Sequence, residues 1–193
     1  MILFVVRHGQ TTANVDKIYS GHSDVPLTEE GRQQAAAIAP ILENMTFDRV
    51  YSSDLSRAID TQRLALPGVE GVRTPLLREI DVGRAAGYPW GQVPDAPADW
   101  NSKTEPDPFA RVGGESYAQL DARVGSFLKM LETDPCDRAV AFVHNGVIGA
   151  VMRNILGPGI VKGALYSENC AIHAFSFEDG KWRLLAWNYG KVL

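Results

Sequence analysis

Ile2-Leu3-Phe4-Val5-Val6-Arg7-His8-Gly9 opens the chain with an apolar run that hands over directly to an arginine, a histidine and a glycine. A short, β-rich run with no polar interruption reads as a strand buried on both faces. The glycine behind it lets the backbone turn sharply and approach a ligand. A histidine flanked by a fixed cation at a strand end can house phosphoryl chemistry. Taken alone, though, a histidine beside an apolar run is more often a satisfied structural group.

The pattern recurs twice. Val50-Tyr51 precedes Ser52-Ser53-Asp54-Leu55-Ser56-Arg57, and Val140-Ala141-Phe142-Val143 precedes His144-Asn145-Gly146. In open parallel sheets with helical crossovers, ligands bind outside the carboxyl ends of the strands, where helix N-termini add unpaired N–H groups and partial positive charge. Two arginines, two histidines and helix starts converging on one crevice describe an anion site.

The 193 residues fit one domain with a substantial core. A formal charge of -4 gives no reason to expect a nucleic-acid or anionic-membrane surface. Cys136 and Cys170 are far apart in sequence, so neither a disulfide framework nor a thiolate zinc site is indicated. The apolar start is too short to span a membrane and lacks the flanks of a secretion signal, which makes the cytoplasm the expected location.

Strand and helix alternate along the chain. Residues 14–26 read as a loop, and Thr28 is an N-cap with Glu29 and Glu30 in the first turn of a helix that Pro40 should kink or shorten. A strand over 49–51 leads into a helix over about 54–66, stopped by Pro67-Gly68. Further elements are a short strand at 72–74, a helix over 115–132, a strand over 139–143 and a helix over 146–156. Runs 171–177 and 182–187 form a hairpin through Glu178-Asp179-Gly180. Residues 84–114 break the alternation, with five prolines, glycines and the aromatics Tyr88, Trp90, Trp100 and Phe109 without period. A long aperiodic stretch rich in aromatics is expected to be a packed lid. The expected fold is a three-layer α/β/α sandwich on a mostly parallel mixed sheet, with one antiparallel strand near the C-terminal hairpin and 84–114 as an irregular cap on a single domain, 1–193.

With these positions in hand the chain resembles the histidine phosphatase superfamily, in its phosphoglycerate-mutase-like branch, and specifically small phosphatases of the broad-specificity or α-ribazole type. The resemblance rests on Arg7-His8-Gly9-Gln10-Thr11 with Asn14, on Gly21 through Pro26-Leu27-Thr28 and Gly31, and on Tyr51-Ser52-Ser53-Asp54-Leu55-Ser56-Arg57-Ala58 with Thr61. It rests also on Leu77-Arg78-Glu79-Ile80 and Val143-His144-Asn145-Gly146. It implies a phosphohistidine mechanism with His8 as nucleophile, Arg7, Arg57 and His144 on the phosphate oxygens, and Asn14 as a further phosphate contact. Ser20 and Gly21 lie where family loops approach the phosphate, with a plain turn as the competing reading, and Asn145, where relatives often have glycine, is a further phosphate-binding candidate. Bound phosphate is expected to favour protonated His144. Glu79 is implied as the general acid, for which a raised pKa is expected. From the residues alone, an ion pair of Glu79 with Arg78 or Arg84 is the competing expectation. His22, in a polar loop, and His173, in a strand, are left outside the site.

The implied activity is metal-independent hydrolysis of small phosphomonoesters without a cofactor. The spacing offers no His-x-x-x-His helix and no carboxylate cluster for two metals. The expected partner is a small phosphomonoester, with no nucleic acid and no membrane, and the expected assembly a monomer or homodimer. A cofactor-dependent phosphoglycerate mutase is the alternative within the chemistry, and an inactive phosphoester-binding module the alternative outside it. Shortness and a cap offering only Lys103 and Arg111 beside Arg84 favour hydrolysis.

Overall fold

A computed structural model describes residues 1–134, 136–159 and 166–189. Six strands form one mixed sheet in the order β3-β2-β4-β1-β5-β6: β1 (Ile2–Arg7), β2 (Arg49–Ser52), β3 (Val72–Arg73), β4 (Arg138–Val143), β5 (Ile172–Glu178) and β6 (Lys181–Tyr189). The pairs β1–β4, β4–β2 and β2–β3 are parallel, whereas β5 runs antiparallel to both its neighbours. That single reversed strand is the one the hairpin implied. Asp179 at φ 52° and Gly180 at φ 71° supply the two left-handed residues that a tight hairpin turn requires.

Alternation along the strands builds the layers. Leu3 and Val5, with Ala139, Ala141 and Val143, point into a core closed by α5 (Tyr117–Thr133) and α6 (Asn145–Leu156). Val6, Val140, Phe142 and Ile172 point the opposite way, onto α2 (Glu29–Ala37), α3 (Ala39–Glu43) and α4 (Ser56–Ala65). Continuously apolar central strands are therefore what a sheet covered on both faces demands.

Local chemistry sets the helix ends. The Thr28 side chain accepts from the Gly31 N–H at 3.0 Å. Pro40 sits in the first turn of α3 and has no N–H to continue α2, which stops at Ala37. The expected loop after β1 instead begins with a short helix, α1 (Thr12–Val15), whose Thr11 cap and Asn14 satisfy each other's backbone N–H groups.

The cap over 84–114 packs around Tyr19, a residue outside it. The Tyr19 ring meets Phe109 edge-on at 5.4 Å and Trp100 at 6.4 Å, and its hydroxyl donates to Ser102 at 2.6 Å. The two ends of the cap touch backbone to backbone. A Cβ on Gly83 would lie 2.4 Å from the Gly114 nitrogen, and one on Gly114 would lie 2.4 Å from the Asp81 carbonyl oxygen. No helix among the described residues is long and apolar enough to cross a membrane.

The turn leaving β1 is pressed equally hard against α2, since a Cβ on Gly31 would lie 2.0 Å from the Gln10 carbonyl oxygen. Gly31→Ala is predicted to lose about 1–3 kcal/mol of stability in urea titrations, the range for forced overpacking. In Gly149→Ala the new methyl meets only the end of the Arg153 side chain at 3.2 Å, and stability should hold or rise slightly. Equal responses would contradict the close approach.

Candidate active site

Register brings the site together. Arg7 pairs with Val143 across the parallel β1–β4 ladder, so the next residues along, His8 and His144, emerge side by side with ring centroids 5.2 Å apart. Ser52 pairs with Phe142, which delivers the α4 start and Arg57 to the same end of the sheet.

The His8 ring is fixed by its own turn. Its Nδ1 lies 2.7 Å from the Gly9 carbonyl oxygen, and because a carbonyl can only accept, Nδ1 carries the proton. The neutral ring then holds its lone pair on Nε2. Burial first, then the Arg57 and Arg7 cations, hold His8 well below its ordinary pKa of 6.5. The Gly9 N–H donates to Thr61 Oγ1 at 2.9 Å, and Thr61 donates on to the Arg57 carbonyl at 2.7 Å, tying the turn to α4.

Arg57 is almost wholly buried and distributes its donors in three directions. Nη1 donates to the Ser23 carbonyl at 2.9 Å, Nη2 to the Gly21 carbonyl at 2.8 Å, and Nε to His144 Nδ1 at 3.2 Å. The last contact decides the His144 tautomer, because an Nδ1 that accepts from a guanidinium leaves the ring proton on Nε2. Burial, then Arg57, His8 and Arg7, keep His144 neutral. The neutral ring therefore presents its Nε2–H as a donor.

Arg7 donates through Nη1 to the Ser167 carbonyl and has the Tyr166 side chain as a hydrogen-bonding neighbour. Its Nε, together with His144 Nε2, makes up the buried side-chain polar atoms that find no partner among the described residues. Both are N–H donors of one site. Leaving such a donor unsatisfied costs about 1–3 kcal/mol. An anion with several acceptor oxygens would satisfy both at once.

Glu79 closes the site from the cap side. Its Oε1 accepts from the Gly146 N–H at 2.9 Å and from the Ile80 N–H at 2.9 Å. A Cβ at position 146 would lie 2.2 Å from that oxygen, so any other residue there would make the Glu79 carboxyl group shift. The competing ion pair with Arg78 does not form, since Arg78 forks onto Asp54 at 2.7 and 2.8 Å. Glu79 instead exerts its charge on Arg7 and Arg57. A neutral imidazole lone pair, two guanidiniums, an imidazole N–H and a carboxyl group are thus gathered where an anion can be bound, attacked and protonated.

Residues 3–190 match the sequence pattern of the histidine phosphatase superfamily, branch 1. The chain belongs to the histidine phosphatase superfamily. Among its relatives, a protein of Enterobacter sp. (strain 638) named "Probable phosphoglycerate mutase GpmB" is 29% identical over 191 residues, 96% of this chain and 89% of the relative. The solved mycobacterial glucosyl-3-phosphoglycerate phosphatase, in complex with VO3, is 30% identical, with 97% of this chain and 98% of that one covered and a TM-score of 0.82. The alpha-ribazole phosphatase of Shigella flexneri is 26% identical at a TM-score of 0.85, with 98% and 97% covered. Phosphatase and mutase names thus both occur among the histidine phosphatase relatives of this chain.

Within this histidine phosphatase site, the other expected residues take differing places. Asn14 Oδ1 is occupied by the Thr11 N–H at 3.0 Å, which leaves its amide N–H groups as the donors it can offer. Ser20 opens a turn closed by the Ser23 N–H at 2.8 Å, and Gly21 serves through its carbonyl as a seat for Arg57. Asn145 is exposed at the start of α6. Residues not anticipated complete the surroundings. Asn169 donates to the His8 carbonyl at 2.9 Å, and His22 Nε2 donates to the Glu79 carbonyl at 2.8 Å. His173 accepts the Asn188 N–H on Nδ1, so its Nε2–H is shared with Ser167 Oγ at 2.8 Å, beside the carbonyl that holds Arg7. Burial pushes His173 down to about 4.

These tautomers and directions yield a pH prediction. Below 6.5 the unfolded chain takes up protons on His8 and His144 that the folded chain refuses, so stability falls as pH falls from 6.5. The slope is about 1.4 kcal/mol per pH unit for each neutral histidine. Urea midpoints between pH 6.5 and 5 in phosphate-free buffer should drop accordingly, with nitrogen shifts showing bare Nε2 in His8 and bare Nδ1 in His144 at pH 6.5. A flat stability profile or an imidazolium signature would contradict the assignment.

Proposed function

We propose that this protein hydrolyses small phosphomonoesters through a phosphohistidine on His8, without a metal or other cofactor. The observation that carries the proposal is the pairing of a fixed lone pair on His8 Nε2 with two buried donors, Arg7 Nε–H and His144 Nε2–H, that have no partner among the described residues. The Nε2 lone pair attacks phosphorus, the ester P–O bond breaks, and the Glu79 carboxyl, which takes up a proton when the phosphate dianion binds, gives that proton to the departing alkoxide. Glu79 then takes a proton from water, whose oxygen bonds to phosphorus as the P–N bond breaks. Inorganic phosphate leaves, and His8 and Glu79 return to their starting states.

Arg7, Arg57 and His144 stabilise the charge on the transferring group, with permanent cations supplying what a metal supplies elsewhere. Asn14 adds a side-chain amide at the edge of the same pocket. The cap supports hydrolysis over mutase transfer. Arg111 is bound to Asp99 at 2.8 Å and to Glu105 at 3.0 Å, so its charge is already compensated and is a poor grip for a substrate carboxylate. Lys103 and Arg84 are the other cap cations, set against four acids.

The test is p-nitrophenyl phosphate turnover in excess EDTA. Wild type should turn over, His8→Ala should lose about a thousandfold or more, and Arg57→Ala about 10²–10³-fold. Activity that needs an added divalent ion, or that survives His8→Ala, would contradict the mechanism. Phosphoglycerate isomerisation that requires bisphosphoglycerate and exceeds hydrolysis would establish the mutase. Phosphoester-dependent thermal stabilisation with no phosphate release would establish the binding module.

A further inference from the structure

Arg123 lies on α5, outside the proposed phosphate-binding set, yet its guanidinium reaches the backbone of Glu79 and of the residues leading to it. Its Nη1 donates to the carbonyls of Leu76 at 3.0 Å, Arg78 at 2.9 Å and Pro75 at 3.4 Å, and its Nη2 to the Glu79 carbonyl at 3.3 Å. The same guanidinium pairs with Glu115 at 2.7 and 3.0 Å. Glu115 also accepts the Asp81 N–H at 3.3 Å, and its own N–H donates to the Asp81 carbonyl at 2.8 Å. Residues 78–82 belong to no helix or strand, so they have no ladder of their own to fix them. Partly buried carbonyls in such a segment need outside donors. Here the Arg123 fork supplies the Arg78 carbonyl and shares the Glu79 carbonyl with His22, while the Glu115 N–H takes the Asp81 carbonyl.

Glu79 is therefore held twice. Its carboxylate is seated on the Gly146 N–H at the start of α6, while its backbone is clamped from below by Arg123. The ion pair also sits beside the neck of the cap, where Gly83 and Gly114 touch.

We propose that the Arg123–Glu115 pair positions the general acid: it fixes the 75–81 backbone so that the Glu79 carboxyl reaches the leaving oxygen. The inference rests on the proposed role of Glu79. Loss of the clamp impairs proton donation and leaves phosphoryl capture by His8 and the arginines in place.

Leaving groups separate these effects, because an alkoxide needs the proton and a dinitrophenolate does not. The experiment measures kcat/KM of wild type, Glu79→Gln, Arg123→Gln and Glu115→Gln on glycerol 2-phosphate and on 2,4-dinitrophenyl phosphate. Glu79→Gln should lose about 10²-fold or more on the alkyl ester and under about threefold on the aryl ester. Arg123→Gln and Glu115→Gln should show the same selectivity, with alkyl losses of about tenfold or more. Should Arg123→Gln fail to fold, Glu115→Gln carries the comparison, since it removes the charge that holds the Arg123 fork against the 75–79 carbonyls.

Equal losses on both esters, or none, in the Arg123 and Glu115 variants would overturn the inference while a selective Glu79→Gln leaves the proposed function standing. A Glu79→Gln variant that loses both esters equally would overturn the assignment of Glu79, and the inference with it.

Discussion

The parallel register of β4 between β1 and β2 is the constraint on which the site depends. Arg7 opposite Val143 and Ser52 opposite Phe142 put three strand ends level, so that His8, His144 and the α4 start face one another without any long loop having to reach. A slip of one residue in either ladder would turn one of these side chains to the opposite face of the sheet. The register is in turn secured by alternation. Leu3 and Val5 must enter one core while Val6 enters the other, and Val140 and Phe142 must oppose Ala139 and Ala141.

Electrostatics then divides the labour. Two buried guanidiniums and an anchored carboxylate surround two imidazoles whose burial keeps them neutral. The proposed mechanism needs that neutrality, because a protonated His8 has no lone pair to give. Arg57 serves three ends with one group: it anchors on the Gly21 and Ser23 carbonyls, adds to the field that deprotonates both histidines, and selects the His144 tautomer that leaves an N–H free for an anion. Under the proposed function the site is thus pre-set for a dianion, whose binding would recover the cost of donors that have no partner among the described residues.

What the sequence made legible is local. Each apolar run followed by a polar handover is a strand end, and Pro40 and Thr28 act through their own backbone chemistry, so fold class and helix order could be read in place, and the strand ends that lead to His8, Arg57 and His144 do meet. What was hidden is long-range. Asn169 meets the His8 carbonyl and Ser167 meets Arg7 across most of the chain length, and no periodicity or local motif signals such contacts. Arg123 sits in a helix pattern where an arginine ordinarily marks the solvent face. The seat of Glu79 was hidden for the same reason. Adjacent Arg78 was the nearer cation in sequence, but its fork is taken by Asp54, while the Gly146 N–H that seats Glu79 lies 67 positions away. The cap aromatics lacked period because they converge on Tyr19, which belongs to another segment.

The central claim is that a phosphoryl group passes through His8 Nε2. The direct measurement is alkaline-quenched rapid mixing of the wild-type protein with a phosphomonoester, followed by peptide mass spectrometry. A base-stable, acid-labile phosphoryl group on the peptide carrying His8, formed and lost at rates that account for turnover, is the predicted result. Turnover with no phosphoryl group on that peptide at any time, or with the group on another residue, would contradict the account.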